Sequence, residues 1–177
     1  ARGDENVVPH VLAAVEAEIG LPVRGAVSTH FHDDRVEGAD VLRAHGVPVY
    51  ASSMTQRLAA AEGNAVPSDS LPGLTVPGAT VRLGPFEVLY PGGGHTRDNV
   101  VVYVPGARVL AGGCAVHEAR RTTPGNTADA DLASWPDALR LVRERFPDAR
   151  VVVPGHGLPG GREMLDHSIS LVEAAHL

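Results

Sequence analysis

The 177-residue sequence contains no lysine, and all 15 of its basic residues are arginines. Any mechanism that requires a lysine amine is therefore excluded. A single cysteine, Cys114, excludes an internal disulfide framework and leaves a free thiol whose role must be explained. The net charge of -6, without a block of basic residues, argues against nucleic acid or an anionic membrane as the main partner.

Long apolar runs are also absent. None approaches the roughly 18 residues that a membrane helix needs, so we expect no membrane insertion. The stretch 1–10 is charged and has no apolar core, and we expect no targeting peptide within this sequence. With 44% hydrophobic residues, the chain can bury a sizeable core, and we expect a single globular domain over 1–177.

Apolar periodicity and turn residues predict a layered α/β or α+β fold. We expect helices at 7–19, 36–46, 54–63, 132–146 and 161–175, strands at 24–29, 47–52 and 150–155, and hairpins at 79–92 and 99–113. The hairpins turn at Gly84-Pro85 and Pro105-Gly106, and Asp129 or Asp131 caps the fourth helix. The segment 64–78 is a long connection without clear periodicity.

The stretch STHFHDDR, residues 28–35, crowds several coordinating side chains where a predicted strand ends. Such a cluster can also be a solvated loop, and a single buried histidine is often only a hydrogen-bonded packing residue. Loops at strand ends are nevertheless where α/β folds build their sites. If the segment is extended, His30, His32 and Asp34 project to the same side and converge.

Three further candidates lie beyond later apolar runs, each beside glycines that allow close backbone approach: His95, Cys114 and His156. Imidazole and thiolate are ligands that zinc prefers, and six ligands suit two ions that each keep a position open for water. Cys114 could instead be a small buried core residue. The remaining histidines at 10, 45, 167 and 176 lie in helical or polar contexts, and we interpret them as surface residues.

The motifs HFHDDR, GGGHTRDN, GGC and PGHG, in this order and at these intervals, closely resemble the subclass B1 metallo-β-lactamases. STHFHDDRV, DADLASWP and VVPGHGLPGG are most similar to the VIM-type branch, and the resemblance extends along essentially the whole chain. It implies the α+β architecture called the αββα sandwich. It also implies that a first zinc ion is held by His30, His32 and His95, and a second by Asp34, Cys114 and His156.

Related subclasses differ at these positions. Most of the wider superfamily, including glyoxalase II-like enzymes and subclass B3, resembles H-x-H-x-D-H, whereas this chain has Arg35 at the final position and a cysteine in its ligand set. Subclass B2 carries asparagine at the position of His30, which disfavours a single-zinc carbapenemase.

The resemblance implies zinc-dependent hydrolysis of the β-lactam amide of penicillins, cephalosporins and carbapenems, which gives antibiotic resistance. Water bound to zinc has a pKa of about 7, so the attacking group is a metal-bound hydroxide and no covalent acyl-enzyme is needed. Asp34 would orient that hydroxide. The amide of Asn126 would hydrogen-bond the developing oxyanion.

Substrate binding follows from the same resemblance. Many relatives bind the substrate carboxylate with a lysine three positions after the cysteine, which here is His117. Arg121 is the better candidate, as in some VIM-type relatives, because a guanidinium binds a carboxylate through two parallel hydrogen bonds. Arg121 could instead be a solvated surface arginine. We expect Arg35, Thr96 and Asp98 to orient the ligands.

Members of the family have N-terminal strands and a substrate-covering hairpin before the helix at 7–19, and nothing here corresponds to them. We therefore expect a truncated sequence whose complete enzyme is longer, acts in the periplasm and is a monomer. Two alternatives stay open: a non-catalytic zinc-binding fragment, and a superfamily hydrolase acting on thioesters, lactones or phosphoesters.

Overall fold

The computed structural model describes residues 7–176, which divide into two compact units, one ending at Pro72 and the other beginning at Gly73. Within the described part of the first unit, a parallel sheet has the strand order β1-β2-β3. The elements are α1 (Val7–Ile19), β1 (Ala26–Val27), α2 (Asp33–Val36), α3 (Ala39–Ala44), β2 (Val49–Ser52), α4 (Ser53–Glu62) and β3 (Asp69–Leu71).

Helix α4 shows how local sequence sets the ends of an element. The Ser52 hydroxyl accepts the N–H of Thr55 at 3.0 Å, which satisfies a backbone donor that the first helical turn leaves open. At the other end Gly63 adopts a φ of 73°, a left-handed conformation that glycine takes without strain. The predicted strand and helix on either side of Ser52 are both confirmed.

Three expectations for this unit need correction. The predicted helix at 36–46 is interrupted at Gly38, where α1 packs closely: a Cβ there would lie 2.7 Å from Cγ2 of Val8. The predicted connection at 64–78 contains β3, whose Asp and Ser residues have low strand propensity and so gave no signal. Helix α1 is confirmed, but Val11 and Ile19 of its predicted apolar face are exposed.

The second unit contains a five-stranded sheet in the order β4-β5-β6-β7-β8. Its elements are β4 (Thr80–Leu83), β5 (Phe86–Leu89), β6 (Val101–Val104), β7 (Val109–Gly113), α5 (Trp135–Arg145), β8 (Val151–Pro154) and α6 (Glu163–His176). Neighbours from β4 to β7 are antiparallel, which confirms both hairpins, and β8 is parallel to β7. Strands β5, β7 and β8 therefore point in the same direction and end at the same edge.

Helices α5 and α6 bury their apolar faces in the core of the second unit. The buried side chains include Leu89, Leu110, Val152, Trp135, Leu139, Val142, Leu165, Ile169 and Val172. Helix α5 begins three residues later than predicted. The Asp131 carboxylate accepts the N–H of Ser134 at 3.1 Å, and its carbonyl accepts the N–H of Trp135 at 2.9 Å, so Asp131 does hold the start of the helix.

Helix length bears on the membrane question. A spanning helix needs about 20 apolar residues. The longest helix within residues 7–176 is α6, with 14 residues. No helix in this part of the chain combines the length and apolar character needed to cross a bilayer.

Candidate metal centre and substrate pocket

Three predicted ligands lie in the first unit, just after β1, and we call them the histidine–aspartate group: His30, His32 and Asp34. One ligand atom from each lies within 4.8 Å of the others. His30 is fully buried, whereas the other two side chains are half-buried. The group therefore has one face in the protein interior and one face open.

The chain does not stay extended through Asp34, and that prediction is wrong. His32 is extended, with φ -61° and ψ 150°, but α2 begins at the next residue. The Asp33 carboxylate accepts the N–H of Asp34 at 2.8 Å, satisfying one open donor of the first turn. Because the chain turns into α2 after His32, Oδ1 of Asp34 lies 3.9 Å from Nε2 of His30, and the side chains converge by a different geometry from the one predicted.

The Arg35 guanidinium contacts both the carboxylate and the backbone carbonyl of Asp34. Its Nη2 lies 3.3 Å from Oδ2 of Asp34, and its Nη1 donates to the Asp34 carbonyl at 3.3 Å. The Arg35 carbonyl in turn accepts the hydroxyl of Ser28 at 3.0 Å. This chain of contacts ties the Asp34 carboxylate to the end of β1.

The other three predicted ligands lie in the second unit, and we call them the cysteine group: His95, Cys114 and His156. The Cys114 sulphur lies within 4.8 Å of a ring nitrogen of His95 and also of a ring nitrogen of His156. Cys114 follows β7 and His156 follows β8, at a register where Gly113 pairs with Pro154. His95 lies in the loop after β5, so the shared strand direction brings all three to one sheet edge.

A glycine and a tryptophan support Cys114. A Cβ at Gly155 would lie 2.6 Å from the Cα, backbone nitrogen and sulphur of Cys114, so only glycine allows this approach. The buried Trp135 donates its Nε1–H to the Ala115 carbonyl at 2.9 Å. The Trp135 ring also lies 5.9 Å from that of His95. The apolar periodicity predicted that Trp135 is buried, but it gave no sign of this contact.

The loop that carries His95 is closed by buried polar groups. Thr96 and Asp98 are both buried, and the N–H of Thr96 donates to Oδ1 of Asn99 at 2.7 Å. Burial, followed by the negative charge of Asp98, raises the pKa of Tyr90, whose hydroxyl donates to the Arg97 carbonyl at 2.9 Å. Thr96 and Asp98 are thus buried and close to His95 in the sequence. This position is compatible with the predicted role of orienting a ligand.

The cysteine group lines a pocket together with three residues predicted to bind substrate: His117, Arg121 and Asn126. His117 is buried, and its ring lies 5.5 Å from that of Trp135. Burial, with a smaller contribution from the Arg121 charge, lowers the pKa of His117 to about 4. At neutral pH His117 is therefore uncharged, and it can offer a substrate a hydrogen bond but no charge.

Arg121 and Asn126 present complementary groups to the same pocket. Nε of Arg121 donates to the Thr123 carbonyl at 3.3 Å, and the guanidinium lies against Gly125, where no side chain intervenes. Oδ1 of Asn126 accepts the N–H of Ala128 at 3.0 Å. With that oxygen engaged, the hydrogen-bond donors that Asn126 can contribute are its two amide N–H groups.

Helix α6 contacts the segment that carries these residues, and sequence reasoning missed this. The exposure of the histidines at 10, 45 and 176 is confirmed, but His167 is half-buried and its Nε2 lies 2.9 Å from the Arg121 carbonyl. The reading of His167 as a surface residue is wrong, because packing of α6 against the 117–121 segment is a long-range contact without a local signal.

Comparison with known proteins agrees with this geometry. The family model described as the Metallo-beta-lactamase superfamily matches residues 9–156 of this chain. The chain is 41% identical over 152 residues to a metallo-beta-lactamase type 2 of Bacteroides fragilis, covering 82% of this chain and 58% of that relative. It is 34% identical to a metallo-beta-lactamase type 2 of Bacillus cereus, covering 96% of this chain and 66% of the relative.

Solved structures agree as well. FIM-1 from Pseudomonas aeruginosa, determined in its mono-zinc form, matches 100% of this chain and 78% of its own chain with a TM-score of 0.91 at 34% identity. The chain belongs to the metallo-β-lactamase superfamily, and its fold is the mixed α+β fold of that family. It spans between 58% and 66% of the length of the two curated relatives described above.

Proposed function

We propose that this chain is part of a zinc-dependent enzyme that hydrolyses the β-lactam amide bond, of subclass B1 and closest to the VIM-type branch. The observation that carries the proposal is the pocket of the second unit. There a cysteine sulphur with two imidazoles nearby shares the lining with an arginine and an asparagine amide. The type 2 metallo-β-lactamases of Bacteroides fragilis and Bacillus cereus support the same reaction class.

The donor atoms of both groups fit zinc. Thiolate and imidazole are ligands that zinc prefers, and a carboxylate completes the set. We propose two ions, one held by His30, His32 and His95 and the other by Asp34, Cys114 and His156, as the sequence motifs imply. Zinc, when bound, supplies Lewis acidity and lowers the pKa of water to about 7.

The remaining residues act on the substrate. Asn126 donates its amide N–H to the carbonyl oxygen as negative charge develops there, since its own oxygen already accepts the Ala128 N–H. Arg121 binds the substrate carboxylate, and the neutral His117 contributes a hydrogen bond beside it. Asp34, steadied by Arg35, orients the attacking water, while Thr96 and Asp98 hold the loop of His95.

The test measures zinc content together with hydrolysis of a chromogenic cephalosporin, with and without a chelator, on the 177-residue chain. We expect bound zinc and turnover that the chelator abolishes. Zinc binding without turnover indicates a non-catalytic fragment. Turnover of a thioester or lactone in place of the cephalosporin indicates a different hydrolase of the superfamily.

A matched pair of variants tests the ligand set. His156→Ala and His176→Ala each remove an exposed imidazole, but only the first removes a proposed ligand. We expect His156→Ala to lower zinc affinity and turnover by more than about 100-fold, since even residues outside the ligand set typically change affinity 10- to 100-fold. Equal zinc affinity in the two variants would remove His156 from the ligand set.

The setting of the enzyme is also a proposal. We propose a monomeric, periplasmic enzyme whose chain over 1–177 forms a single domain and which acts on penicillins, cephalosporins and carbapenems. Size-exclusion chromatography with light scattering tests the monomer. Fractionation of cells that express the complete gene tests the location.

A further inference from the structure

His156 lies in an exposed loop that needs support. The residue follows β8, and the next residue, Gly157, has a φ of 94°. On the N-terminal side of His156, the N–H of Gly155 donates to the Val116 carbonyl at 3.3 Å, which connects the loop to the segment after Cys114. On the C-terminal side of His156, glycine adopts many backbone conformations, so β8 alone does not fix the path of the loop.

On the C-terminal side of His156, the side chain of Glu118 holds the loop. The N–H of Leu158 donates to Oε2 of Glu118 at 3.1 Å. A Cβ at Gly157 would collide with the same carboxylate, so the loop backbone lies directly on Glu118. His156 thus lies between two hydrogen bonds to the 116–118 segment. Glu118 supplies the side-chain half of that clamp.

Glu118 itself is well placed to act as a fixed point, because helix α6 holds the backbone on both sides of it. The N–H of His117 donates to the hydroxyl of Ser168 at 2.9 Å, and that hydroxyl donates to the Met164 carbonyl at 2.7 Å. Nε2 of His167 lies 2.9 Å from the Arg121 carbonyl oxygen. Ser168 is fully buried, so its hydrogen bond to the N–H of His117 is shielded from water.

We propose that Glu118 is a positioning residue that holds the His156 loop against Cys114. The inference rests on the proposed function, in which both of these residues bind zinc. Without the Glu118 contact the loop is held only at Gly155, and His156 must be ordered when a metal binds. Metal affinity then falls, although no ligand has been removed.

The first test requires no metal. Glu118→Ala should accelerate amide hydrogen exchange at Leu158 by about tenfold, because a hydrogen bond to a charged acceptor is lost. Glu163→Ala is the matched control, since the Glu163 carboxylate accepts the N–H of Gly161 at 3.0 Å near the other end of the same loop. It should accelerate exchange at Gly161 and leave Leu158 unchanged. Equal exchange at Leu158 in wild type and Glu118→Ala refutes the contact.

The second test uses Co²⁺, whose absorption reports a bound thiolate and therefore Cys114. Glu118→Ala should weaken Co²⁺ binding about five- to tenfold, and Glu163→Ala should not. Glu118→Gln keeps an acceptor oxygen and should lie between wild type and Glu118→Ala, which separates positioning from misfolding. Unchanged Co²⁺ affinity in Glu118→Ala overturns the inference, whereas a missing thiolate band in the wild type overturns the proposed function.

Discussion

The histidine–aspartate group and the cysteine group use similar side chains, but the chain assembles them in different ways. The first comes from five consecutive positions, and a strand end followed by one helical turn is enough to bring its ligand atoms together. The second comes from three loops far apart in the sequence, which meet because β5, β7 and β8 end at one sheet edge. The first group therefore depends on local conformation and the second on the packing of its unit.

The largest expected difference between the groups concerns Trp135. Replacing Trp135 with Ala should lower the free energy of unfolding of the protein by about 3–5 kcal/mol, because a fully buried aromatic ring is removed. It also removes the hydrogen bond to the Ala115 carbonyl beside Cys114. Chemical denaturation measures the first effect, and the reaction rate of Cys114 with a thiol reagent measures the second.

The comparison requires that this variant spare the histidine–aspartate group. In the metal-free protein the backbone amide NMR signals of α2, the turn that brings this group together, should keep their positions while Cys114 becomes reactive. Trp135→Phe is the control that keeps most of the packing and loses only the N–H donor. If the amide signals of α2 shift in Trp135→Ala but not in Trp135→Phe, the local conformation of the first group depends on the packing around Trp135.

The second prediction is a pH dependence of the free energy of unfolding, caused by His117 in the substrate pocket. The pKa of His117 is lowered from 6.5 to about 4 by burial, so between these values the unfolded chain binds a proton that the folded chain does not. Stability is therefore intact above pH 6.5 and falls as the pH drops toward 4, by about 3 kcal/mol at about 1.4 kcal/mol per pKa unit.

Urea unfolding of the metal-free protein between pH 7 and pH 4 measures this loss. His117→Gln should flatten the profile, because the group that titrates is gone. His45→Gln removes an exposed imidazole and should follow the wild type. A profile for His117→Gln that matches the wild type would show that His117 is not the source of the pH dependence.

The third prediction concerns the histidine–aspartate group. Arg35→Ala should weaken metal binding about tenfold, because Arg35 holds the Asp34 carboxylate at 3.3 Å. Arg43→Ala removes a pair of the same type, to Asp40 at 2.8 Å, but both partners are more than half exposed and such pairs contribute little. Zinc competition with a chromophoric chelator compares the two. Equal affinities would show that Asp34 needs no support from Arg35.

The sequence predicts the members of the cysteine group despite their spread along the chain. Apolar runs followed by glycine mark the strand ends, and strand direction then gathers His95, Cys114 and His156. It predicts less of the local geometry, because a helix as short as α2 shows no periodicity. Contacts such as Glu118 to Leu158 and Ser168 to His117 could not be predicted, since they depend on how α6 and the loops pack.

The smallest expected effect tests that packing directly. Ser168 and Ser170 both lie on α6, and each hydroxyl donates to the carbonyl four residues earlier, but only Ser168 also accepts the buried N–H of His117. Ser168→Ala should destabilise the protein by about 1 kcal/mol, because it leaves that donor unsatisfied, while Ser170→Ala should be neutral.

In activity assays Ser168→Ala should raise KM for carboxylated substrates more than it lowers kcat, because the segment that carries His117 and Arg121 loosens without any ligand being lost. A fall in kcat with unchanged KM would mean that α6 instead acts on the metal ligands. Since Ser170→Ala changes the same helix at an exposed position, a shared effect of both variants would trace the result to helix stability and not to the His117 contact.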